Sequence, residues 1–190
     1  MNFKFDNLTI SGGVAVGKST LINNLIPYLE PYGWKFKSIG EIHRKFLKDN
    51  VMPEAARVSD DFDRKIEAEI ERTLRMEKNW IIQSWLAGFD ARHLKNTLRV
   101  LLVCHEESLR IDRVANRDKV TVEQAKIFIR QREDGNLEKY RRLYGKHNFW
   151  DPKYYHLVID TYSSGQLETV GKVLDKLGYN NDRIKIAKKA

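Results

Sequence analysis

Between an apolar run ending at Ile10 and a helical stripe beginning at Leu21 lies Ser11-Gly12-Gly13-Val14-Ala15-Val16-Gly17-Lys18-Ser19-Thr20. Gly12, Gly17, Lys18 and Ser19 fit the spacing G-x-x-x-x-G-K-[ST]. Each residue type answers a physical need. Glycines let main-chain N–H groups turn inward on phosphate oxygens, and the lysine ammonium reaches the outer phosphates. The hydroxyl of Ser19 is placed to ligate Mg²⁺, and the following helix offers its positive N-terminal end. Such a loop needs a strand before it and a helix after it, which commits the chain to a βα unit. By itself it leaves the reaction open between kinase, GTPase, ATPase and passive nucleotide binder.

The rest of the chain continues in the same manner. Five short apolar runs, at residues 7–10, 34–38, 80–84, 98–104 and 156–161, read as strands covered on both faces. Between them lie stripes at helical spacing: Leu21, Ile22, Leu25, Ile26 and Leu29; Phe62, Ile66, Ile70 and Leu74; Leu167, Val170, Leu174 and Leu177. Thr121 and Gln124 have capping-box spacing at the start of a long helix running towards Tyr144. Alternation of strand and helix predicts an α/β fold: a three-layer P-loop arrangement with a five-stranded, mainly parallel sheet. At 190 residues the chain is one domain, expected over residues 1–178 with a basic tail at 179–190.

Composition narrows the classes. No uncharged apolar run approaches the ~20 residues of a membrane-spanning helix, so no membrane partner is expected. The first residues lack the apolar core of a secretory signal, and a lone Cys104 forms no internal disulfide; a cytoplasmic protein is expected. The five histidines have no metal-ligand spacing. Lys+Arg 34 against Asp+Glu 26 gives a formal charge of +8, which draws anions without saying which. No RNA-binding motif accompanies it, so a nucleic-acid partner is not expected. Arg110, Arg113 and Arg117 share one helix face, and the next helix carries Arg130, Arg132, Lys139, Arg141 and Arg142. Transfer between two phosphates needs such a supply, because donor and acceptor repel. A solvated basic helix face is the plain alternative for any single arginine. Asp60, Asp61 and Asp63 suit a helix start, where carboxylates complement the dipole.

With these pieces in view, the chain resembles the archaeal-type cytidylate kinases, a branch of the P-loop nucleoside monophosphate kinases. The resemblance rests on the loop at 11–20, the segment 38–44, Leu86-Ala87-Gly88, Arg110-x-x-Arg113, Arg132-Glu133-Asp134 with Tyr140, Leu143-Tyr144-Gly145, and Tyr155-His156-Leu157-Val158-Ile159-Asp160-Thr161. It covers about residues 6–178. It implies a monomer that uses ATP and Mg²⁺ to phosphorylate CMP or dCMP, with an acceptor-binding segment at about 38–78 and a lid at about 110–145. By position, Ser38, Gly40 and Arg44 would meet the acceptor. Arg110, Arg113 and Arg132 would supply lid charge, and Lys18 and Arg44 would act in transfer. The donor phosphates would lie on Gly12, Gly13, Val14, Ala15, Val16, Gly17, Lys18, Ser19 and Thr20, with Ser19 on the metal. Asp63, Trp85, Gly88 and Asp134 complete the expected acceptor site.

Three departures matter, one being that Lys139 stands where an arginine usually precedes the tyrosine. Gln83-Ser84-Trp85 stands where the family usually reads Glu-Gly-Arg, so one acceptor arginine and one carboxylate near the metal are replaced. Trp85 either stacks a base or fills the cleft floor. Val14 and Val16 stand where small or polar residues are common. Two other readings stay open: a kinase for another small metabolite, with Asp61 or Asp63 as base for a hydroxyl acceptor, and a nucleotide-dependent binding or regulatory module.

Overall fold

Five strands, β1 (Asn7–Ser11), β2 (Lys35–Ser38), β3 (Trp80–Gln83), β4 (Thr97–Val103) and β5 (Leu157–Asp160), pair in the order β2-β3-β1-β4-β5, all parallel. The computed structural model describes residues 2–40 and 59–179. All five predicted strands are present, within a residue or two of their expected ends. Their continuous apolar runs have a simple cause. Successive strand side chains point to opposite faces, and here both faces are covered. Ile81 faces one layer with Leu8 and Leu98, while its neighbour Ile82 joins the other with Ile70 and Leu74.

The first layer is α1 (Lys18–Leu29) packed beside the C-terminal helix α6 (Gln166–Leu177), with Leu25, Leu29, Val173 and Leu177 fully buried. Leu167 of the predicted C-terminal stripe is 79% exposed. It sits in the first turn of α6, and Val173 takes its place in the buried stripe. The opposite layer holds α2 (Asp60–Met76) and the short α3 (Ala87–Asp90). Ser59 caps α2 through the N–H of Phe62, and the three aspartates fall in its first turn. Asn7, buried in β1, donates to the carbonyls of Leu74 and Glu77 and accepts from the N–H of Trp80. One amide thus ties the end of α2 to the sheet.

Two further helices pack on each other: α4 (Glu107–Asp118) and α5 (Val122–Tyr144). The capping box predicted at Thr121 and Gln124 is complete, each side chain bonding the other's backbone. Among the described residues no helix is long and apolar enough to cross a membrane.

The strand order places the functional region. β1 leads outward on one side through β2 and β3, and the chain then crosses to β4 on the other. The crevice beyond the C-terminal end of β1 is the switch point where open parallel sheets bind ligands. The glycine-rich loop starts there.

Candidate active site

The segment after β1 forms a tight loop that enters α1 through Gly17 in the left-handed region. Gly12 adopts φ +143 against the carbonyl of Leu102, where a side chain would collide with β4. Ala15 holds φ 58, uncommon for a residue with a Cβ. Arg113 donates to the Ala15 carbonyl at 3.0 Å and to the Thr161 hydroxyl at 3.1 Å. That hydroxyl donates in turn to the Val16 carbonyl at 3.0 Å. The loop is therefore braced by α4 and by the turn after β5.

Lys18 curls back over this loop, its ammonium 2.8 Å from the Gly12 carbonyl and 2.5 Å from that of Gly13. Burial, followed by the charge of Arg132, brings its pKa down from 10.5 to about 7. Crowded cations around one lysine describe a place where negative charge is wanted. Ser19 is exposed, its hydroxyl 3.5 Å from the Gln83 amide oxygen at the end of β3.

A single cavity of about 490 Å³ spans this cradle and the space between α2, β3 and α5. Gly13 to Thr20 line one side of it, with Arg113, Arg117 and Thr161. Gly40, Asp63, Gln83, Trp85, Asn136, Lys139 and Tyr140 line the opposite side, and Arg132 also faces the cavity. Asp63 and Lys139 form an ion pair with side chains only 4% and 5% exposed. Asn136 is 7% exposed, and no hydrogen bond of its side chain is found among the described residues.

Trp85 packs its ring on Tyr140, centroids 5.6 Å apart and 27° from parallel, and against Trp150 at 4.4 Å. Its indole Nε1 is buried without an acceptor among the described residues, while its carbonyl accepts from the Trp150 indole. Trp85 is packed into an aromatic wall, and that wall borders the cavity.

Several expected residues lie elsewhere. Gly88 is buried under the ring of Tyr155, its N–H donating to the Ser11 hydroxyl at 2.7 Å; it is a packing glycine with no face on the cavity. Asp134 is exposed on α5 outside the cavity, because Arg132, Asn136 and Lys139 occupy the inward face of that helix. Ser38 ends β2 with its hydroxyl buried and does not line the cavity. Arg110 turns onto the outside of the loop, donating to the Val14 carbonyl and pairing with Glu133. Gly12 lies beneath the cradle, against β4. Arg44 lies outside the described residues. Asn136 carried no motif in the sequence. Its only signal is its spacing, one helical turn beyond Arg132 and three residues before Lys139, on the inward stripe.

The comparisons agree with one another. The family described as "Cytidylate kinase-like family" matches residues 28–163. A cytidylate kinase from Methanopyrus kandleri is 33% identical over 175 residues, covering 85% of this chain and 88% of the relative. One from Pyrococcus abyssi is 31% identical over 159 residues, covering 81% of this chain and 83% of the relative. Among solved structures, a gluconokinase from Sinorhizobium meliloti superposes with a TM-score of 0.62 at 14% identity, covering 98% and 99% of the two chains. A shikimate kinase from Acinetobacter baumannii gives 0.53 at 18% identity, covering 90% and 92%. At those identities the structural matches speak for the fold alone.

Proposed function

Since the chain belongs to the cytidylate kinase-like family, we propose that it transfers the γ-phosphoryl group of ATP to a nucleoside monophosphate, CMP or dCMP. The observation that carries this reading is the one cavity whose donor side is a phosphate cradle and whose other side is a walled site of base-sized apolar and polar groups. The loop amides hold the β-phosphate, and Lys18 leaves its carbonyl partners to follow the moving group. Arg132 stands where donor and acceptor charges meet, and Arg113 and Arg117 bring further positive charge to the donor side. A phosphate acceptor is already anionic, so no general base is needed. On the acceptor side Asp63 and Lys139 offer an acceptor and a donor to the edge of a pyrimidine, Asn136 offers both, and Trp85 walls the site. The expected phosphate contact of Arg44 belongs to this proposal as well.

Mg²⁺ takes oxygen ligands, keeps several waters and leans on substrate phosphates. The Ser19 hydroxyl and the neighbouring Gln83 carbonyl oxygen suit that role as neutral donors. When bound, the ion would neutralise charge between the outer phosphates. The proposed protein is a cytoplasmic monomer whose partners are small nucleotides rather than nucleic acid. A coupled ADP-release assay with CMP, dCMP, UMP and AMP tests the reaction. Turnover with the cytidine nucleotides at least tenfold above the others is expected, and ADP release no faster than without acceptor overturns the reading.

A further inference from the structure

Val14 is held through both its main-chain N–H and its carbonyl by side chains of the α4–α5 pair. Its N–H donates to a carboxylate oxygen of Glu133 at 2.8 Å, and its carbonyl accepts from Arg110 Nε at 3.0 Å. The two side chains complete the ring by pairing with each other. Both are largely withdrawn from water, at 16% and 24% exposed. Ions in such a position carry a desolvation cost that a surface pair avoids. Gly13 admits the carboxylate, because a Cβ there would collide with it and would press on Trp150 at 3.2 Å. The Val14 side chain is buried in the seam of the pair, against Ile111, Val114, Ala125 and Ile129. The next residue is Ala15 in the left-handed region, braced by Arg113.

We propose that Glu133 is a positioning residue that acts through Arg110 and Val14: it fixes the tip of the phosphate loop to the α4–α5 pair, so that the loop holds its anion-binding shape only while that pair is docked. Glu133 does not line the cavity, and its effect reaches the nucleotide through the Val14 amide. Val14, unusual for its place in the loop, is explained as the hydrophobic key of the same joint. The inference rests on the loop being the donor-phosphate site, and is independent of which acceptor is used.

Calorimetry of ADP binding needs no acceptor and no turnover. Glu133→Ala is expected to weaken ADP about tenfold. Glu133→Gln, whose amide oxygen still accepts from Val14, is expected to recover most of that loss. Arg110→Ala with Glu133→Ala is expected to fall within about twofold of the weaker single variant, since both break one ring. In steady state the KM for ATP rises with the alanine change while that for the acceptor moves less than twofold. Glu133→Asp, one methylene too short to reach Val14, serves as second variant should the alanine protein not fold, and is expected to weaken ADP as the alanine does. Unchanged ADP affinity in a folded Glu133→Ala or Glu133→Asp protein overturns the proposal. So does tighter binding, which would make the carboxylate a competitor of phosphate, and so does simple additivity of the two alanine changes. Failure of the unaltered protein to bind ADP removes the phosphate-site reading and this inference with it.

Discussion

On the proposed function, the Lys18 ammonium is expected to gain its full charge when phosphate arrives. Its pKa near 7 in the free site is set first by burial and then by Arg132. Bound polyphosphate raises it again by opposite charge. Nucleotide binding at pH 8 is therefore expected to take up a proton at Lys18. Calorimetry at pH 8 in buffers of different ionisation enthalpy measures this uptake, and Lys18→Met is expected to abolish it. The same comparison of single residues shows what a motif carries. Gly12 owes its identity to the backbone turn it makes against β4, and Lys18 folds back over its own loop, so both belong to a local motif. Gly88 was expected against the acceptor because it belongs to a short recognisable triplet. Its lack of a side chain instead serves the ring of Tyr155, which comes from a segment far along the chain.

Between elements, α2 and α5 are joined by charges that no spacing rule relates. Lys139 and Asp63 are buried together, and Arg142 reaches the carboxylate of Asp60 at the surface. Removing one partner of the buried pair strands a charge, so Lys139→Met is expected to cost about 3–5 kcal/mol in denaturant unfolding. Lys139→Met combined with Asp63→Leu is expected to regain most of it. Nearby, burial pushes Glu67 up to about 7, with the charge of Asp63 adding to the effect, and raises Asp90 well above the usual carboxylate range. The sign follows from linkage. A carboxyl whose folded pKa exceeds its unfolded value of 4.5 binds more protons when folded, so its contribution falls as pH rises from about 4.5 to 7. Glu67→Gln is expected to flatten the decline of Tm over that window, leaving the part due to Asp90. Helix positions, capping box and apolar stripes were readable element by element because their causes lie within a few residues. The inward stripe of α5 was not. A helix bearing polar residues on every side does not announce which of them faces a cavity.

At the scale of the whole molecule, the sides proposed for donor and acceptor share one cavity at the sheet's switch point. A ligand that joins adenosine and cytidine through a chain of phosphates is therefore expected to bind tighter than ADP and CMP together at equal concentration. At a hundred times its Kd such a ligand adds about 2.7 kcal/mol, which raises Tm by roughly 5–10 °C in a chain of this size. A scanning-calorimetry shift no larger than that given by ADP alone would mean that the two halves do not lie in line.

From the order of its residues alone, this protein was bound to a glycine-rich loop between strand and helix, a parallel sheet and helices on both sides. Apolar runs, helical periodicity and a glycine–lysine turn are settled by neighbours in the chain. Tertiary structure decided which of its many arginines face the cavity, and turned Arg110 outward to hold Glu133. It paired Asp63 with Lys139 and set Trp85 against Tyr140 and Trp150. Those choices depend on distances between segments tens of residues apart, where side-chain direction and burial follow from how the layers pack.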